Sequence, residues 1–129
     1  MNSKKCGMQG EELTAKYLTG LRFKIIAKNF HSRYGELDLV AVNENLILFI
    51  EVKTRKANSL VLPAEAVFNS KIKKIIKTAV IFLEKNKQFK FLQPRFDVSE
   101  VIMKACNSIS VNYIENAFDF DAAMLAEER

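Results

Sequence analysis

Two stretches of the chain carry strand-like patterns strong enough to anchor a reading of the rest. Glu36 to Val42 (ELDLVAV) and Leu46 to Thr54 (LILFIEVKT) are dominated by Leu, Val, Ile and Phe. Asn43, Glu44 and Asn45 join them, which is hairpin chemistry. A shorter β candidate, Phe23 to Phe30 (FKIIAKNF), precedes them and ends in the turn HSRYG. Arg95 to Met103 is predicted as a fourth strand, and Ser110 to Ile114 as a fifth after the turn at Asn107-Ser108. Two segments follow a helical period instead. In Met8 to Thr19, continued to Leu21, the residues Gly10, Leu13, Thr14, Tyr17 and Leu21 fall on one side, with Gly20 as a stop. After a loop over residues 55–62, a second helix is predicted from Pro63 to Asn86, with Ile72, Ile75, Ile76, Ala79 and Leu83 as its inward stripe. The order α-β-β-β-α-β-β predicts an α/β fold, a small mixed sheet flanked by helices.

Composition adds few constraints. A chain of 129 residues, 49% hydrophobic and 27% charged, fits one soluble domain. The expectation is a single domain over residues 1–129 with an acidic tail from about residue 115. No long apolar run and no apolar core in the N-terminal MNSKKCGMQGEE point to a membrane span or a secretion signal, so the expected location is the cytoplasm, away from membranes. Cys6 and Cys106 lack metal-type spacing and read as free thiols. The net charge of +5 is uneven: the last fifteen residues hold five acids against Arg129, which leaves +9 on residues 1–114. Such a body attracts polyanions, although the same excess also serves plain solubility.

Charge also interrupts the two best strands. Side chains alternate between faces, so Ile47, Phe49, Glu51 and Lys53 share one face, and Leu46, Leu48, Ile50 and Val52 the other. In the preceding strand Asp38, Val40 and Val42 share a face, opposite Leu37, Leu39 and Ala41. A hairpin in the right register brings Asp38 to Glu51. Two carboxylates in a partly buried place repel each other and resist desolvation, so the arrangement asks for a cation. Lys53 supplies part of the charge. Oxygen ligands suit a hard ion, Mg²⁺ or Mn²⁺, and the matching chemistry is phosphodiester hydrolysis: Asp38 and Glu51 hold the ion, and Lys53 orients the water or stabilises the transition state. A solvated edge strand would show the same alternation, and an acid-x-Lys triplet alone carries little weight. On the first helix Glu12 points away from the apolar face and Glu11 lies at its margin beside Leu18, so Glu11 is the acid placed to face the interior.

The series GELDLVAV, LILFIEVKTR, PAEAVFNSKIKK and RFDV resembles the YraN-like family of bacterial proteins, over about residues 7–118. That resemblance implies the restriction-endonuclease-like fold of the PD-(D/E)xK nuclease superfamily and similarity to Holliday-junction resolvases. Its implied function is a metal-dependent nuclease cutting DNA, with branched or structured DNA as substrate. The family's strand aspartate falls on Asp38, its EVK glutamate and lysine on Glu51 and Lys53, and its helical acid on Glu11, giving Glu11, Asp38, Glu51 and Lys53 as catalytic residues and the three acids as metal ligands. Thr14, Arg22 and His31 depart from the family pattern at positions where Ala, Gly and Arg are common. With His31 in place of an arginine, Arg33 is the candidate substitute for a phosphate contact.

Lys71, Lys73, Lys74, Lys77 and Lys85 lie opposite the apolar stripe of the second helix and are read as a solvated basic face. The family pattern selects Lys71 and Lys74 from it, and Arg55 and Lys56 extend the charge from the strand end. With Arg33 these form the candidate nucleic-acid contacts, of a kind that grips phosphate without reading bases. Asp97 is expected to pair with Arg95 or another base. Phe118 and Phe120 leave two uses open for the tail, docking on the body or on a second copy in a homodimer. The competing readings are a non-catalytic nucleic-acid-binding or adaptor module on the same fold, and a protein-interaction subunit.

Overall fold

The computed structural model describes residues 3–56, 69–105 and 108–118. Helix α1 (Ser3–Gly20) leads into three strands, β1 (Lys24–Ser32), β2 (Gly35–Val42) and β3 (Leu46–Lys56), then helix α2 (Asn69–Lys85), a 3₁₀ turn at Lys87–Phe89, and strands β4 (Gln93–Ala105) and β5 (Ser108–Phe118). The strands form one sheet in the order β1-β2-β3-β4-β5, with β3 and β4 parallel and the other neighbours antiparallel. This is the mixed sheet flanked by helices expected of a restriction-endonuclease-like fold. Pro63 to Phe68 of the predicted second helix, Cys106, Phe120 and the tail from residue 119 lie outside the described residues. The side chain of Cys6 is likewise outside the description.

Local chemistry sets the connections. Asn43 Oδ1 accepts from the amides of Asn45 (2.8 Å) and Leu46 (2.7 Å), an Asx arrangement that folds β2 back onto β3. Ser32 pairs with Gly35, so the first hairpin turns on Arg33 and Tyr34 alone. Helix α1 stops at Gly20, but the left-handed residue is Arg22 (φ 71°), and the amide of Phe23 donates to the carbonyl of Leu18 at 3.0 Å. A glycine at position 22 would adopt that φ without the steric cost an arginine bears.

The sheet is packed on both faces. On one face, Leu39, Ala41, Leu48 and Ile50 pack with Leu18 of α1. On the other, Val40, Ile47, Phe49, Phe96 and Val98 pack with Ile75, Ile76, Ala79 and Phe82 of α2. Thr14 ties α1 to β4 through Ser99 Oγ at 2.7 Å. A Cβ at Gly10 would meet Thr54 Oγ1 and the Val101 methyls at 3.2 Å, so the missing side chain is what allows the helix this close.

Both helices are rolled relative to the pattern read from sequence. In α1 the buried line is Gly10, Thr14 and Leu18, whereas Leu13 and Tyr17 are 36% and 44% exposed. In α2, Thr78 and Phe82 join Ile75, Ile76 and Ala79 in the core, while Ile72 and Leu83 sit half-buried at its margin. Thr78 tolerates burial because its hydroxyl donates to the Lys74 carbonyl and meets Ser32 Oγ, both at 2.8 Å. The roll has a functional consequence: Lys71, one turn before Ile75 and two before Thr78, turns from the solvated side toward the sheet.

Candidate active site

The site forms where two strands separate. Antiparallel pairing of β2 with β3 runs from Val42↔Ile47 to Leu39↔Ile50. Beyond that point β2 continues beside β1 (Leu37↔Phe30, Glu36↔His31), and β3 continues beside β4 (Glu51↔Val98 to Lys56↔Met103). Asp38 stands in the fork, and its Oδ2 accepts from the Val52 amide at 2.7 Å, a side chain meeting a ladder donor just past the last backbone pair. Strict alternation fails here. Leu37, expected with Leu39 and Ala41, packs instead in the α2-side cluster with Val40.

The register places Glu51 as the next partner in line after Ile50, and both acids are buried, with Asp38 8% and Glu51 9% exposed. Burial is the main reason that the Asp38 carboxyl is pushed up to about 7, and the Glu51 charge adds to it. The Val52 amide pulls the other way, while the Glu11 charge and a hydrogen bond to Glu51 push up again. Near neutral pH the Asp38 carboxyl is therefore partly protonated. Glu11 reaches Asp38 by its field from half-buried α1. It does not complete a cluster, since among the described residues no three acids, histidines or cysteines gather tightly enough to enclose an ion.

Two lysines face the acids. Lys71 Nζ lies 2.7 Å from Glu51 Oε1. Burial works against the charge on Lys71, but the hydrogen bonds to Glu51 and Lys53 and the nearby acids outweigh it and hold its ammonium above the usual range. Lys53 is lowered, by burial first and then by its hydrogen bond and repulsion with Lys71. Lys53 thus gives up a proton more readily than an ordinary lysine. Asp38, Glu51 and Lys53 lie close enough for the charges of the two acids to act on one another and on Lys53, with Glu11 at the margin.

The remaining candidates divide. Arg55 donates from both Nε (2.9 Å) and Nη2 (2.7 Å) to Oε1 of Glu100, which is 2% exposed, so its guanidinium is engaged within the sheet. Lys56 and Lys74 are exposed, and so is Arg33 at the hairpin tip. Arg33 stacks on the Tyr34 ring at 4.9 Å, and Lys77 approaches the same ring at 5.1 Å. A Cβ on Gly35 would lie 3.7 Å from the Lys74 Cβ, so this basic rim borders the β2 side of the fork. Sequence reasoning placed Lys71 on that rim and did not see it reach Glu51; the signal was the helical phase, hidden by the polar Thr78.

A family model described as "Uncharacterised protein family UPF0102" matches residues 10–101, a span that includes all four acid and lysine positions of the sequence motifs. The chain belongs to this family, the YraN-like group its motifs resemble. It is similar to UPF0102 proteins of Caldanaerobacter subterraneus subsp. tengcongensis (42% identical over 120 residues, 92% of this chain and 98% of the relative) and Syntrophomonas wolfei (41% over 116 residues, 90% and 99%). A UPF0102 protein of Clostridium novyi is 43% identical over 117 residues, 90% of this chain and 97% of its own length.

Proposed function

We propose that this protein is a divalent-metal-dependent nuclease that hydrolyses phosphodiester bonds in DNA, with branched or otherwise structured DNA as its substrate class. The observation that carries the reading is the pair Asp38 and Glu51, buried together in the strand fork beside Lys53 and Lys71, with the Asp38 carboxyl still pushed up to about 7. A buried acid pair whose proton affinity stays perturbed with lysines at hand marks a place where a cation or a proton is exchanged. The donor set fits Mg²⁺ or Mn²⁺, since Mg²⁺ commonly takes one or two carboxylates and keeps water in its other positions.

Asp38 and Glu51 would hold the ion, which supplies charge for the phosphate and acidifies water. Lys53, with its lowered affinity for protons, is suited to accept a proton from that water or to orient it. Glu11 adds negative field from α1. The exposed Arg33, Lys56, Lys74 and Lys77 offer contacts to the phosphate backbone that would weaken steeply with salt. No helix among the described residues is long and apolar enough to cross a bilayer.

Incubating the purified protein with Mg²⁺ or Mn²⁺ and a panel of duplex, flap and four-way-junction DNA tests the assignment. Cleavage is expected, with loss of about 10³-fold or more in rate on Asp38→Ala. No cleavage of any substrate, or an Asp38→Ala protein that cuts as well as the parent, would overturn it.

A further inference from the structure

The contact between Lys71 and Glu51 has a geometry that a phosphate-gripping surface lysine would not need. Its Nζ is 2.7 Å from Glu51 Oε1, and the side chain is 41% exposed, half in the fork and half in solvent. Lys71 therefore reaches Glu51 from α2, an element separate from the strands that carry both acids. Lys53 lies within hydrogen-bonding reach of it, so two lysine side chains converge on the same acids.

We propose that Lys71 is the resident counter-ion of the acid pair, that it competes with the divalent ion for Glu51, and that metal binding displaces it toward the substrate phosphate. The inference rests on the metal-dependent reading of the fork. Two cations cannot share one carboxylate oxygen at contact distance without strong repulsion, so an ion seated on Oε1 of Glu51 must move the Lys71 ammonium. A four-carbon stem on a half-exposed helical position can swing outward with little loss of packing. Displaced outward, it joins Lys74, three residues along the same helix and exposed, on the side from which DNA would approach. The cation that satisfies the empty site thus becomes a phosphate contact in the loaded one.

The test reads metal binding without DNA. Calorimetric titration of Mn²⁺ into the parent, Lys71→Met and Lys71→Arg proteins should show about tenfold tighter binding for Lys71→Met, equivalent to about 1.4 kcal/mol, and parent-like binding for Lys71→Arg, which keeps the competing charge. A second measurement needs no variant. Acetylation of the parent protein, followed residue by residue with mass spectrometry, should label Lys71 several-fold faster in saturating Mn²⁺, with Lys77 as the internal reference. Unchanged Lys71 labelling, or Lys71→Met binding Mn²⁺ no more tightly than the parent, overturns the displacement while leaving the metal seat in place. If the parent binds no Mn²⁺ at all, the metal-dependent reading falls and the displacement falls with it.

Discussion

Two aspartates in this sheet are both buried, and their surroundings could hardly differ more. Asp97 on β4 is fully buried, and its two oxygens accept from Arg95 Nε (3.0 and 3.3 Å) and Nη2 (3.0 Å), from the Tyr113 hydroxyl (2.5 Å) and from the Asn116 amide (2.9 Å). Burial and the Asp97 contact raise Tyr113 far above its ordinary range, so its phenol stays a donor at every relevant pH. Asp38, one strand beyond β3, accepts from the Val52 amide and lies beside a second acid that is itself paired with Lys71. The first arrangement is complete and fixes β4 to β5; the second leaves the Asp38 carboxyl with a backbone amide donor and a raised proton affinity, which suits it to exchange a proton or an ion. Burial of a carboxylate by itself separates nothing. What separates structure from chemistry is whether the donors around it are complete.

The contrast can be broken from either side. Asp97→Ala should cause the larger change, since it leaves the Arg95 guanidinium and the Tyr113 hydroxyl without their main acceptor. A loss of about 3–5 kcal/mol in urea unfolding is expected, and a loss below about 1 kcal/mol would show that the cluster is not holding the sheet. Asp38→Asn should act in the opposite direction in metal-free buffer. The Asp38 carboxyl titrates at 3.8 when unfolded and about 7 when folded, so between those values the native state binds the extra proton and parent stability falls as pH rises. Below about pH 4 the variant and the parent should therefore be nearly equal. Above about pH 7 the variant should be more stable, by on the order of 2–4 kcal/mol. Thermal melts across pH 4–8 check this, and a gap that shrinks toward high pH would contradict the assignment of Asp38 as the strained acid.

Much of this was legible in the sequence, and the exceptions share a cause. The five strands follow from a period of two and a short Asn-rich turn, the two helices from a period of 3.6, and the adjacency of Asp38 and Glu51 from the hairpin between β2 and β3, signals set by local backbone geometry. The pairing of Asp97 with Arg95 was also foreseen, two residues apart on one strand. The phases of the helices were not. In α1 the expected face already held Gly10 and Thr14, but the bulk of Leu13, Tyr17 and Leu21 drew it away from the buried Leu18; in α2 the polar Thr78, buried through its local hydrogen bond, was not counted. The roll of α2 hid Lys71, and the deflection of β2 that carries Leu37 across the sheet comes from a side chain, Asp38, meeting the neighbouring ladder. Arg55, read as an extension of the basic surface, is bound to Glu100, because a charge at a strand end gives no sign of a buried acid 45 positions later.

The parting of β2 from β3 leaves the outer half of β3, from Glu51 to Lys56, with backbone pairing to β4 alone and the Asp38 carboxyl as its link to β2. A strand held along one flank has fewer bonds to lose in a local opening. Rigidity should then drop midway along a single strand, between Ile50 and Val52, and amide hydrogen exchange should be slow at Leu48 and Ile50 and faster at Lys53 and Thr54. The chemistry would sit at the border between a fixed half, which sets the register of the acids, and a yielding half, which carries the lysine.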